Sequence, residues 1–334
     1  MKTWFILFSV IAVFLLSSCQ LREPKLVNIR GAVFGTYYSI SYFSEDGLVY
    51  QEQIDSLFRV INESMSYYLP NSLISRINNN ETDIIDEFFR VVYLRSKEIH
   101  ESTNGAFDPT VSPLVNAWGF GFAQKETMTP ERVDSLQRLV GIQRTRLEGN
   151  RIIKDDPRIQ FDFNAIAKGY AADVIGFFLE SKGITTYLVE IGGDLTARGL
   201  KPDGSKWRIG LEKPARDFDD PQDFDFFVEL KNMAVATSGN YRRYYEQDGQ
   251  KLSHTIDPFT GYPVTHNLLS VSVFALDGMT SDAYATAFMV MGFEKAKEFV
   301  ETRGDLEAFF VFSTGLEVYG SHATSGLVLQ KREN

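Results

Sequence analysis

TYLVEIGGDLTARG, residues 186–199, decides what kind of sheet this chain builds. Thr186 to Ile191 is rich in strand-forming residues, and Gly192-Gly193 ends the run. A glycine pair after a strand superficially resembles a dinucleotide-binding loop. The third glycine and the following helix are missing, because Leu195 to Gly199 leads into more strand. The pair therefore reads as a tight turn between strands.

Outward from that turn, strand and helix signals mix without a βαβ rhythm. Towards the N-terminus, Ala165 to Ser181 reads as a helix closed by Gly183, preceded by a strand over Ile159 to Phe163. Thr129-Pro130-Glu131 offers an N-cap, a proline at the first helical position and an acid in the first turn, which predicts a helix running to Gly141. Ile85, Phe88, Val92 and Ile99 mark one helical face that stops at Asn104-Gly105, and Ile54, Leu57, Phe58, Ile61 and Met65 mark another. Tyr38 to Tyr42 alternates as a half-buried strand. Towards the C-terminus the pattern predicts strands near 207–211, 226–236 and 268–276. Helices from about Ser281 to Met291 and Glu294 to Thr302 follow, then strands near 307–312 and 316–319. No Pro/Gly/Ser linker interrupts the run. The expectation is one large mixed α/β (α+β) body over residues 29–334.

The N-terminus carries a different signal. Lys2, an apolar run from Trp4 to Leu16 and then Leu16-Ser17-Ser18-Cys19 make a secretory signal peptide over residues 1–18. Leu-Ser-Ser-Cys resembles a bacterial lipobox, so Cys19 is expected to become the lipidated first residue. Residues 20–28 read as a polar tether, the lipidated segment being 19–28. This places the body on the bacterial cell envelope, membrane-anchored and facing the periplasm. Cys19 is the only cysteine, so the body has no disulfide, thiol nucleophile or thiolate metal site. A net charge of −10 argues against a nucleic-acid partner, and any phosphates on a substrate need a metal or local backbone groups to neutralise them.

Four histidines show no zinc-type spacing, and neither a G-x-S-x-G elbow nor a Walker-type loop is present. Four segments could carry chemistry. In Thr280 to Thr286, Asp282 and Thr286 are i and i+4 on a helix and form an oxygen-only partial site suited to magnesium. Asp282 could equally do no more than favour the helix N-terminus. Asp162-Phe163-Asn164-Ala165-Ile166-Ala167-Lys168-Gly169 lies at a strand-to-helix junction, where carbonyls can bind a cation, amides can face an anion and Lys168 adds a point charge; a simple cap with a solvated lysine fits as well. His254 precedes an Asp257-Pro258-Phe259-Thr260-Gly261 turn and is either a base or a surface histidine. Thr237 to Arg242 is a small-residue loop that could offer amides to phosphate.

Five blocks, in order over almost the whole mature chain, resemble the ApbE-type FMN transferases. They are Phe34-Gly35-Thr36, Ser102 to Gly121 (STNGAFDPTVSPLVNAWGFG), Asp162 to Asp173, Val189 to Asp194 (VEIGGD), and Thr237 through His254-x-x-Asp257-Pro258-x-Thr260-Gly261 to Asp282-Ala283-x-x-Thr286. The resemblance implies transfer of FMN from FAD, the flavin substrate, to a Thr or Ser of an acceptor flavoprotein, with Mg2+ as cofactor. The expected acceptor is an electron-transfer protein facing the periplasm. FAD contacts are implied at Phe34 (often Met in relatives), Tyr68 in Ser-Tyr-Tyr-x-Pro-x-Ser, Ala106, Phe107, Asp108, Asp162, Lys168 and Ile256. Metal positions are implied at Ala165 (through its carbonyl), Asp282 and Thr286, and the catalytic histidine at His254. Some relatives carry an acid where this chain has Ala285, so one carboxylate is missing here. Asp277 to Ser281 begins like a flavinylation acceptor motif but continues Asp282-Ala283, as the metal segment. Two rival readings are an FAD pyrophosphatase giving FMN and AMP, and a flavin-binding lipoprotein without turnover.

Overall fold

Strand β1 (Lys25–Val33) turns back on β2 (Thr36–Ser44) through Phe34-Gly35, both at positive φ (50° and 75°). A two-residue turn of that hand matches the twist of the strands it joins. The computed structural model describes residues 23–121, 125–212, 223–240, 244–247, 250–315 and 318–332. The signal peptide and Cys19 lie outside the described residues. Strand β1 starts inside the stretch read as a tether: Lys25 to Asn28 pair with Ser44 to Ser41, giving that polar stretch a sheet neighbour the alternation did not announce.

Helices α1 (Gln51–Met65), α2 (Leu73–Asn78) and α3 (Glu87–Ser102) follow, then the short α4 (Ser112–Ala117) and α5 (Pro130–Gln137). Thr129 caps α5, which ends four residues before Gly141. A small hairpin of β3 (Thr145–Glu148) and β4 (Arg151–Lys154) leads to α6 (Ala167–Ser181). The expected strand at Ile159 to Phe163 is not a strand. The Asn78 side chain accepts from the Phe161 amide (2.7 Å) and donates to its carbonyl (2.8 Å), taking the place of a neighbouring strand. The Lys154 ammonium donates to the carbonyls of Ile77, Pro157 and Ile159 and holds the same segment.

The remaining elements are β5 (Tyr187–Ile191), β6 (Asp194–Arg198), β7 (Trp207–Glu212), β8 (Phe224–Leu230), β9 (Met233–Gly239), the hairpin β10 (Tyr244–Gln247) and β11 (Gln250–Ser253), β12 (Leu268–Ala275), α7 (Gly278–Met291), α8 (Phe293–Glu301), β13 (Glu307–Gly315), β14 (Val318–Ala323) and β15 (Gln330–Lys331). The strand expected over 226–236 is two strands in different sheets. They are broken at Asn232 (φ 51°), whose side chain accepts from the Gly199 amide. Helix α7 starts three residues earlier than expected, because Asp277 rather than Thr280 caps it and accepts from the Thr280 amide at 2.7 Å.

Eight strands form one antiparallel sheet in the order β1-β2-β5-β6-β9-β12-β13-β14, and β15-β8-β7 form a second. The first stretch quoted above is the β5–β6 hairpin, paired from Tyr187 with Arg198 to Ile191 with Asp194. Alternation along β13 separates the two faces. Ala308 and Phe310 enter the core under the helices, whereas Phe309 and Val311 enter the core under the three-stranded sheet. The result is three layers, helices over a large sheet over a small one, of mixed α/β class. A third, smaller cluster joins α4, α5 and Ile256. Among the described residues no helix is long and apolar enough to cross a membrane.

Candidate active site

Helices α6 and α7 cross at glycines. A Cβ on Gly169 would fall 2.0 Å from the Gly278 carbonyl oxygen, and one on Gly278 2.5 Å from that of Gly169. Only two glycines let the backbones come this close. The contact places Asp282 beside the start of α6, where its Oδ2 accepts from the Gly169 amide at 3.1 Å. Its Oδ1 stands 3.8 Å from Lys168 Nζ, and Lys168 also donates to Asp194 at the start of β6. Asp194 and Asp282 are both buried, at 2% and 4% exposure. Two buried carboxylates therefore share one ammonium. Burial, with Asp282 as a second cause, pushes the Asp194 carboxyl up to about 7, against the pull of Lys168 and a hydrogen bond from the Thr237 backbone.

One turn beyond Asp282, Thr286 Oγ1 lies 3.5 Å from Ser238 Oγ on β9. The strand then leads to Asn240, whose Oδ1 accepts from Ser253 Oγ (2.5 Å) and Thr255 Oγ1 (2.9 Å). Those two residues flank His254, so Asn240 ties the histidine's segment to the end of the strand that reaches Thr286. The His254 ring meets Phe120 edge to face, with centroids 6.4 Å apart.

On the other side, the turn into α6 carries Asp162 and Ala165. The Asp162 amide donates to the Pro109 carbonyl at 2.7 Å, and its side chain accepts from the Asn164 amide at 2.8 Å. Burial holds the Asp162 carboxyl up, at about 6. Its charge also reaches the Tyr67 hydroxyl, which accepts from Ser112 and Asn116.

This arrangement can be set beside known proteins. Residues 34–310 match the ApbE family. The chain belongs to that family. It is 37% identical over 310 residues to the FAD:protein FMN transferase of Vibrio cholerae, covering 90% of this chain and 91% of that one. It is 35% identical over 295 residues to the protein of the same name from Escherichia coli K12, covering 85% and 83%. Its fold superposes on the flavinyl transferase ApbE of Pseudomonas stutzeri in its apo form with a TM-score of 0.82 at 34% identity, covering 92% of this chain and 96% of that one. The flavin transferase ApbE of V. cholerae superposes with a TM-score of 0.80 at 35% identity, covering 90% and 98%.

Not every expected site residue joins the cluster. Lys168 and Asp282 stand at the crossing of α6 and α7, Thr286 lies one turn further along α7, and Asp162 and Ala165 lie in the turn that leads into α6. Phe34 sits in the β1–β2 turn against Phe58, and that hairpin touches the Gly192 turn that precedes Asp194. A bulky residue at φ 50° is uncommon outside functional or tightly held turns. Tyr68 is exposed and packs edge to face on Tyr67. Ala106 and Phe107 are buried in the main core. The Asp108 side chain is turned inward, accepting from the Thr110 amide and hydroxyl (2.8 and 2.6 Å) and the Ile142 amide (3.2 Å), with His100 Nδ1 at 3.3 Å. Burial raises its carboxyl. Ile256 is buried in the small third cluster.

Thr237 to Gly239, expected in a loop, are the last residues of β9 and pair with Ser272 to Ser270; Tyr241 to Arg243 lie outside the described residues. Asp194 and Asn240 were missed as site residues. The acid closing Val189 to Asp194 was the available signal for the first, since Lys168 needs an anionic partner when partly buried.

Proposed function

We propose that this chain transfers FMN from FAD to a Thr or Ser hydroxyl of an acceptor protein, with a divalent cation held at Asp282. The single observation that carries this reading is the crossing of α6 and α7, which gathers Lys168, Asp194, Asp282 and Thr286 into one oxygen-rich cluster. Family membership supports the same chemistry. In the transfer, the acceptor oxygen attacks the FMN-side phosphorus and forms a new P–O ester bond. The pyrophosphate P–O bond breaks, and AMP leaves with the electron pair. His254 takes the proton from the attacking hydroxyl, since an imidazole titrates near working pH. Lys168 places positive charge near the phosphates.

The residues present fit magnesium. Their donors are all oxygen, and among the described residues no group of three or more His, Cys, Asp or Glu could hold a metal by itself. Magnesium commonly takes one or two protein carboxylates and completes its shell with water and substrate phosphate. Asp282 and Thr286, with the Ala165 carbonyl, would hold the ion. Bound there, it would neutralise pyrophosphate charge. The test is mass spectrometry of an acceptor incubated with the full chain, FAD and Mg2+. Addition of FMN to one hydroxyl is the expected result, and excess EDTA should stop it. Release of FMN and AMP with no gain of mass on any acceptor would turn the reading into a pyrophosphatase.

The lipobox at Cys19 supports a lipid anchor on the periplasmic face of the cell envelope. Metabolic labelling with a fatty-acid probe should mark the native chain and fail to mark a Cys19→Ala variant.

A further inference from the structure

Asp173 has no part in the chemistry above, yet it is buried at 5% exposure. Its carboxylate accepts from the amides of Gly278 (2.8 Å) and Met279 (2.9 Å), the first two residues of α7, and from Thr196 Oγ1 on β6 (3.2 Å). Helix α7 already has its own cap in Asp277, which takes the Thr280 amide. Asp173 is therefore a second carboxylate brought to the same helix end from another helix. Burial, joined by the charge of Asp277, pushes its carboxyl up to about 7 despite the three hydrogen bonds. A carboxylate that costs this much to bury calls for a reason beyond capping.

The reason lies in the order of contacts. Gly169 and Asp173 are one turn apart on α6, as Gly278 and Asp282 are on α7. Gly169 donates its amide to Asp282, and Asp173 accepts the amide of Gly278. Each helix thus gives one carboxylate to the backbone of the other, with the glycine crossing between them. One of the two carboxylates, Asp282, faces Lys168 and the site. The other, Asp173, is tied through Thr196 to the strand that also carries Asp194.

We propose that Asp173 is a positioning residue: by clamping the first turn of α7 to α6 and β6, it sets where the Asp282 carboxylate stands relative to Lys168 and Asp194. This inference rests on the reading of Asp282 as a cation ligand. Asp173→Asn keeps the shape but turns an NH2 group towards one of the two backbone N–H donors, which bond to different carboxylate oxygens.

The experiment is Mn2+ binding to the full chain by electron paramagnetic resonance, without FAD or acceptor. Asp173→Asn is expected to weaken Mn2+ about 10–100-fold, the range for removing a partner that orients a ligand. Half-saturating Mg2+ in the transfer reaction should rise by a similar factor, while the rate at saturating Mg2+ changes little. Val228→Ala, in the core under the three-stranded sheet, is the control: it lowers thermal stability and should leave Mn2+ affinity alone. Should Asp173→Asn not fold, Thr196→Val decides, with an expected loss of about fivefold from one missing hydrogen bond. Absence of Mn2+ binding to the native chain overturns the cation reading and this inference with it. A native affinity that a folded Asp173→Asn variant retains, or that Val228→Ala lowers as much, overturns this inference alone. In the event of an unfolded Asp173→Asn, an unchanged Thr196→Val does the same.

Discussion

The two halves of the site are built differently. Lys168, Asp282 and Thr286 stand on helices α6 and α7, whose apolar faces share the main core with β5 and β12. Their positions follow from backbone contact at Gly169 and Gly278, where there is no slack. His254 stands on a connection instead. Its segment is held by Asn240 on one side, and beyond it by the Ile256–Pro263 bridge and the small cluster around Trp118. The charged half is part of the core, and the half that carries the proposed base is attached to it. A group that fixes a cation needs sub-ångström placement, which packed helices supply. A group that must meet a hydroxyl arriving on another protein is better carried on a loop.

If that division is right, variants in the charged half should lose both cation binding and transfer, and the His254 variant transfer alone. Asp282→Ala should reduce transfer to below about 1% of the native rate, the scale for losing one preorganised charge-stabilising group. The body should stay folded with a lowered Tm, because the Gly169 amide loses its partner while Lys168 keeps Asp194. A native-like rate at limiting Mg2+ would place the cation elsewhere. His254→Asn should still bind FAD and Mn2+, with transfer down about 10²–10⁴-fold. Flavin fluorescence separates binding from turnover here, and loss of FAD binding would make His254 a ligand contact rather than a base.

Gly169→Ala sharpens the comparison from the structural side. The added methyl meets the Gly278 carbonyl, so urea unfolding should show a loss of about 1–3 kcal/mol, and Mn2+ affinity should fall with it. Retention of both would mean that the helices can separate without consequence. The smallest effect is expected in the attached half. Trp118→Phe removes the indole hydrogen bond to the Gly261 carbonyl (2.8 Å) and should cost about 1 kcal/mol, with no change in Mn2+ affinity.

Much of this molecule was legible in its residues. Period-3.6 faces located α1 and α3 to within a few positions, because amphipathic helices must bury one stripe. Helix α7 was harder. It is buried nearly all round, so its start had no stripe to mark it and was read three residues late. The 226–236 run hid a turn because Asn232 adopts positive φ without needing glycine. The Ile159 to Phe163 segment looked like a strand, but its partner is the side chain of Asn78, eighty-three positions before Phe161, which no local pattern reveals.

The sequence by itself pointed to the class of chemistry through five ordered blocks that resemble the ApbE-type transferases. Asp282 with Thr286, Lys168 after Asn164 and His254 before an Asp-Pro turn each left a plainer reading open when taken alone. Only the tertiary structure decided which acids act together. Asp194, Asp173 and Asp282 are far apart along the chain and alike as residues, yet one pairs with Lys168, one clamps a helix end and one faces the site. That assignment depends on two backbones meeting at Gly169 and Gly278. Such a meeting comes from packing a sheet against helices and is not encoded in any short stretch of either helix.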